Sequence, residues 1–232
     1  MIEKKNNAIK ILFIGNSFIY YNDLPQIVSD IAEANNIGAY VKHITYGGYR
    51  LCQYLEENTI ENEQVLNELN NHSWDYVVLQ EQSSNPYRNK DEFISSVKSL
   101  SYLIKCNGAK VILYSTWSYR DGSDILNDIK LTYTEMYKAL TSAYLEAGDL
   151  TDSIVAPVGT AFYKITREKP ELELLDADDL HPSLMGSFIA AYIFYRFIFG
   201  DIDNNKFHLE EIGNDNMLIL KSYALKALKS VS

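Results

Sequence analysis

Cysteine is scarce in this chain: only Cys52 and Cys106 occur among 232 residues, far apart and without metal-ligand spacing. That argues against a disulfide framework or a zinc site and points to ordinary reduced thiols. With 5 prolines and 11 glycines, the composition also excludes collagen-like and low-complexity classes. Positive charge is in deficit, Lys+Arg 21 against Asp+Glu 31 for a net charge of −10. This is the wrong sign for a surface that neutralises phosphates, so nucleic acid is not an expected partner. No apolar run is long enough to cross a bilayer: residues 182–195, the longest charge-free apolar stretch, number 14 against the roughly 20 required. They read as a buried helix. The first residues show no signal-peptide pattern, so the expected setting is cytoplasmic, with no membrane partner.

What the chain does contain is enough apolar material for a core, 47% of residues, arranged in alternating patterns. Short β-branched or apolar runs at 9–14, 39–45, 76–79, 110–114 and 153–156 read as strands. Between them, 24–34, 54–69, 92–105 and 126–146 carry helical periodicity, and further helices are expected at 183–199 and 209–230. Such βα alternation predicts parallel strands joined by right-handed crossovers. The expected fold is therefore α/β: a flavodoxin-like three-layer α/β/α sandwich with a central parallel sheet of about five strands. No linker or repeat divides residues 1–232, which read as a single domain. In such sheets, sites form beyond the carboxyl ends of the strands, so the chemistry is sought at residues 15–18, 46–50, 80–85 and 116–120.

Ser17 stands where the first strand ends and a turn enters a helix, a position suited to a nucleophile with backbone N–H groups aimed at a developing anion, and equally to a helix cap. Gly15 starts no dinucleotide fingerprint and no phosphate loop. Asp178 and His181, three residues apart before the last apolar helix, have the spacing at which a carboxylate fixes an imidazole for proton abstraction. A solvated acidic loop is the plainer alternative. His43, His72 and His208 are scattered without paired ligand spacing, so neither metal nor cofactor is expected.

Taken together, Ile14-Gly15-Asn16-Ser17-Phe18, Gly47-Gly48-Tyr49-Arg50-Leu51 and Asp178-x-x-His181-Pro182 resemble the blocks of the SGNH (GDSL-type) hydrolase superfamily, in the same order over nearly the whole chain. The resemblance implies Ser17 as nucleophile, His181 as general base and Asp178 as its partner. It also implies the N–H groups of Ser17 and Gly48 as oxyanion-hole donors. The third block departs from the family: Leu79-Gln80-Glu81-Gln82-Ser83 stands where Gly-x-Asn-Asp is usual. It is similar to a bacterial subgroup with Leu-Gln-x-x-Ser and, more distantly, to carbohydrate acetylesterases. A glutamine amide supplies the donor an asparagine would; Gln82 is the first choice, lying farther beyond the strand, with Gln80 second and Asn85 an outsider.

Aromatic side chains crowd the same strand tips: Tyr20, Tyr21, Tyr46, Tyr49, Tyr87, Trp117 and Tyr119. Of these, Tyr49, Trp117 and Tyr119, together with Arg50, are the candidate substrate contacts, suiting a sugar or another amphipathic ligand. Arg50, Arg88 and Arg120 follow three successive strands and either hold an anionic substrate group or pair with the many acidic side chains. The expected activity is hydrolysis of a short acyl ester, acetyl first, on a carbohydrate-like or small-metabolite substrate. The alternatives are a catalytically weak binding protein of the same fold and, from fold alone, a nucleotide-binding module.

Overall fold

The computed structural model describes residues 8–203 and 206–230. Five strands, β1 (Ile9–Gly15), β2 (Ala39–Thr45), β3 (Tyr76–Leu79), β4 (Lys110–Tyr114) and β5 (Ile154–Ala156), form one parallel sheet in the order β2-β1-β3-β4-β5. The helices are α1 (Ser17–Tyr20), α2 (Leu24–Ala34), α3 (Ile60–Asn71), α4 (Asn85–Arg88), α5 (Lys90–Cys106), α6 (Asp124–Asp128), α7 (Tyr133–Thr151), α8 (Val158–Glu168), α9 (Leu184–Phe199) and α10 (Asn214–Leu228).

Strand alternation builds two cores. Ile11 and Phe13 of β1, with Val78, Ile112 and Tyr114, pack against α2, α8, α9 and α10. Leu12 and Ile14, with Val77, Leu79, Val111 and Leu113, face α3, α5 and α7. Because successive side chains of a strand point to opposite faces, near-continuous apolar strands require helices on both sides, and the three-layer sandwich follows. The order reverses between β1 and β3, which places the expected crevice at their carboxyl ends.

All five strand expectations match to within a residue at either end, whereas four helices differ for local reasons. The helix expected over 54–69 begins at Ile60, after a 3-10 turn (Leu51–Leu55); Asn58 adopts φ 63° and Thr59 caps the new start by accepting from Asn62 N–H. The helix expected over 126–146 is split by Lys130 at φ 57°, and Thr132 and Glu135 form a reciprocal capping box at the head of α7. Gly213, at φ 77°, delays α10 to Asn214. Helix α8, opened by Pro157, was not expected.

Two glycines decide the shape of the sheet's functional edge. A Cβ on Gly15 would lie 2.6 Å from Gln80 Oε1 and 2.8 Å from the Gln80 carbonyl, so the end of β1 and the third block approach as only glycine allows. Gly48, at φ 71° and with open space where a Cβ would go, is required by conformation instead. Gly15→Ala is expected to lower the free energy of unfolding by about 1–3 kcal/mol, as overpacking does. A urea midpoint equal to that of the parent protein would mean that the third-block loop yields instead.

Candidate active site

The turn after β1 is set by Asn16, a buried residue whose Oδ1 accepts from Phe18 N–H at 3.2 Å and so caps α1. Its backbone N–H donates to Gln80 Oε1 at 2.8 Å, and its Nδ2 donates to the Tyr49 carbonyl at 2.9 Å. Asn16 thereby ties the first block to the loops after β2 and β3. The cap role open to Ser17 belongs to Asn16, which leaves the Ser17 hydroxyl for other work. Ser17 is 8% exposed.

Asp178 and His181 sit on a small hairpin. Asp176 N–H donates to the His181 carbonyl at 2.8 Å, Ser183 N–H to the Leu174 carbonyl at 2.9 Å, and Leu175 pairs with Pro182 in an antiparallel bridge. Within it, Asp178 Oδ1 accepts from the N–H groups of Leu180 (3.1 Å) and His181 (2.9 Å), while Oδ2 lies 2.5 Å from His181 Nδ1. Across 164 positions of sequence, His181 Nε2 lies 2.7 Å from Ser17 Oγ. A carboxylate has no proton to give, so Nδ1 carries the hydrogen and Nε2 is left as acceptor for the serine hydroxyl. Partial burial works against ionisation of Asp178, but the hydrogen bonds from the His181 ring and from the two backbone N–H groups win and hold its pKa below the usual aspartate value. The carboxylate therefore stays charged at neutral pH.

Other groups hold this hairpin in place, among them Asn22, which sequence reasoning did not single out. Asn22, in the left-handed region at φ 51°, donates through Nδ2 to the Pro182 carbonyl (2.9 Å) and to Ser187 Oγ (3.0 Å). Its signal, an asparagine in a short polar turn, is too common to stand out. Tyr21 stacks on the His181 ring, centroids 4.1 Å apart and planes within 11°, and Phe18 meets the ring edge-on at 5.6 Å.

The expected substrate contacts separate into two groups. Trp117 is 1% exposed, stacked between Phe18 and Phe162 (centroids 4.5 and 4.2 Å), and donates Nε1–H to the Leu180 carbonyl at 3.1 Å. Both of its faces are covered, so it supports the hairpin and offers no ring to a ligand. Tyr119 is likewise buried, its hydroxyl 2.8 Å from Ser83 Oγ. Tyr49 and Arg50 remain partly exposed beside Gly48. Arg50 pairs with Glu92 at 2.9 Å, and Arg88 donates to Tyr87 Oη at 3.2 Å. Arg120 is committed to the hairpin: it bonds Asp179, Glu173 Oε2 (2.5 Å) and the carbonyls of Leu175 (3.2 Å) and Asp176 (3.1 Å). It has no fork left for an anionic substrate.

Backbone donors stand open near the serine. The N–H groups of Ser17 and Gly48 have no hydrogen-bond partner among the described residues, the first because it opens α1. In the third block, Gln80 is fully buried, its Oε1 taken by Asn16 N–H and its Nε2 by the Glu81 carbonyl. The Gln82 Oε1 accepts from the N–H groups of Ser84 (3.0 Å) and Asn85 (3.2 Å), which fixes the amide with Nε2 toward Ser83 Oγ at 3.0 Å. Asn85 is buried, its Nδ2 donating to Glu92 Oε1 and its Oδ1 accepting from Asn89. Glu81, which the sequence reading passed over, is fully buried between these loops. Among the described residues no cluster of His, Cys, Asp and Glu has the arrangement of a metal site, and no helix is long and apolar enough to cross a membrane.

A serine, a histidine and an aspartate linked in series at the carboxyl edge of a 2-1-3-4-5 sheet define the class as an α/β protein with hydrolase architecture. No family model and no curated protein matches the sequence, but solved structures do. A protein from Slackia heliotrinireducens assigned to the SGNH hydrolases matches 82% of this chain over 98% of its own, at 32% identity and a TM-score of 0.74. The present chain belongs to the SGNH hydrolase superfamily. A DUF4886-family protein from Bacteroides uniformis shares the fold at 20% identity over 96% of this chain and 95% of its own, with a TM-score of 0.82. An acetyl xylan esterase, AlAXEase, does so at 14% identity over 82% of this chain and 100% of its own, TM-score 0.65.

Proposed function

We propose that this protein is a serine esterase that removes a short acyl group, acetyl first, from a carbohydrate-like or small-metabolite ester. The observation that carries the reading is the series Ser17 Oγ, His181 Nε2, His181 Nδ1, Asp178 Oδ2, with links of 2.7 and 2.5 Å. His181 takes the Ser17 proton as Oγ attacks the acyl carbonyl; the tetrahedral oxyanion is received by the N–H groups of Ser17 and Gly48. His181 then returns the proton to the leaving alcohol, and water, activated by the same imidazole, releases the acid from the acyl enzyme. Membership of the SGNH superfamily supports hydrolysis, and the fold shared with an acetyl xylan esterase is the reason to test acetylated sugars first. Tyr49, partly exposed beside Gly48, suits a polar ring-shaped substrate. The two free thiols, Cys52 and Cys106, favour a reducing, cytoplasmic setting.

The test is release of chromophore from a short-chain aryl ester: a burst followed by steady turnover is expected, then selective turnover within a panel of acetylated sugars. Binding of such sugars without turnover would support the alternative, a recognition protein that has lost catalysis.

Gln82 is the third oxyanion donor in this reading, through the hydrogen of Nε2 not given to Ser83. Gln82→Ala should lower kcat by about 10²–10³ with little change in KM, because the bond strengthens in the transition state. Gln82→Glu places a carboxylate against the developing charge and should be at least as damaging. Full kcat in Gln82→Glu would place the third donor elsewhere while leaving Ser17, His181 and Asp178 in their roles.

A further inference from the structure

Glu81 is a fully buried acid whose hydrogen-bond partners are neutral N–H donors from two different loops. Oε1 accepts from Gln82 N–H at 2.6 Å, and the two carboxylate oxygens receive Leu51 N–H at 3.2 and 3.3 Å. The Asn85 amide adds a further bond, and Tyr144 of α7 accepts from the Glu81 N–H. Leu51 lies three residues beyond Gly48, and the intervening Tyr49 carbonyl is held by Asn16 Nδ2. The turn bearing the open Gly48 amide is thus pinned on one side by the residue before the nucleophile and on the other by Glu81. Gln82 is the neighbour of Glu81 and is fixed by the same carboxylate. A single side chain therefore spans the two loops from which the oxyanion-hole donors come.

The charged and titratable groups facing it are Glu92 of α5, itself paired with Arg50, then Cys52 in the 3-10 turn and Tyr144 of α7. None of them gives it a direct ionic bond. Burial, with a smaller push from Glu92, overrides the bonds from Gln82, Leu51 and Asn85 and raises its pKa to about 7.

We propose that Glu81 is a positioning residue for the oxyanion hole: ionised, it accepts from Leu51 and Gln82 together and fixes the Gly48 amide relative to Gln82, and protonated it loosens that grip, so that acyl transfer needs the ionised Glu81 in addition to a neutral base at His181. Protonation leaves one carbonyl oxygen to receive both N–H groups and exchanges a charged acceptor for a weaker neutral one, which slackens the hold on the two loops. The proposal rests on the serine-esterase reading. It carries an opposition that an ordinary structural role lacks. A carboxyl whose pKa is raised by folding adds stability below its unfolded value, near 4.5, and that contribution is lost as pH rises through about 7. The ionised, active form is the less stable one.

Glu81→Gln keeps the shape and imitates the protonated acid at every pH. At about pH 8.5 it is expected to turn over an aryl acetate about 10- to 100-fold more slowly than the parent protein, the scale of a small misplacement of reacting groups, with KM nearly unchanged and a melting temperature equal or higher. Below about pH 6 the two rates should converge, since both proteins then carry a neutral group. In the parent protein, which needs no substitution to fold, the acid limb of kcat/KM should be steeper than a single ionisation gives. A single-ionisation limb, or a Glu81→Gln rate that equals the parent's or is reduced by one constant factor at all pH values, overturns the proposal while leaving the esterase reading intact. An inactive parent protein, or parental turnover in Ser17→Ala, overturns both.

Discussion

Ser17→Ala is expected to lower kcat/KM for a short aryl ester by about 10⁴-fold or more and to abolish the acyl-enzyme burst, since the bond-forming oxygen is gone and only the backbone donors and substrate binding remain. Stability should change by no more than about 1 kcal/mol, because the cap of α1 is made by Asn16 and the lost contact is one hydrogen bond to a partly exposed imidazole. Turnover measured beside a thermal melt separates these effects. Activity within tenfold of the parent protein would remove Ser17 from the mechanism, and a collapsed melt would show that the hydroxyl is needed for folding.

Asp178→Asn is the second large effect. The amide oxygen can still accept from the N–H groups of Leu180 and His181, so the hairpin should survive. Its NH₂ then faces His181 Nδ1, which must become the acceptor, and the ring hydrogen moves to Nε2 opposite the serine. An imidazole in that tautomer cannot take the Ser17 proton, and kcat should fall about 10⁴-fold with KM little changed. Retention of a tenth or more of the parent kcat would mean that another group orients the ring. The lowered pKa of Asp178 implies a further distinction: the variant's loss should be the same at neutral and alkaline pH, since the parent carboxylate is ionised throughout.

The residues of the series were legible because each sits where strand ends and helix starts dictate chemistry: Ser17 after an apolar strand, Asp178 and His181 three apart before an apolar helix. The sheet was legible for a similar reason, as continuous apolar strands such as Ile11–Ile14 have one stable environment. Helix interruptions at Asn58 and Lys130 were not, because each depends on one residue entering the left-handed region, a choice made by tertiary packing. Trp117 shows the same limit in the site. Its position after β4 suggested a ligand platform, but whether a ring at a strand tip faces inward or outward depends on Phe18 and Phe162, residues distant from it in sequence. Glu81 was hidden for the opposite reason: an acid in a polar loop looks solvated until the loops on either side of it are seen to close.

The 164-residue interval between Ser17 and His181 also bears on how the molecule comes into being. Contacts this remote in the chain are closed against the largest loop entropy, although that cost grows only logarithmically with length, and they raise the contact order that slows folding. A partly folded chain in which β1, β2 and β3 have paired but the hairpin at 174–183 has not docked holds the serine and both backbone donors with no base to activate the hydroxyl. On the esterase reading, hydrolytic competence therefore requires that α9 and the segment before it have settled on the sheet, and a molecule opened there would carry an inert serine.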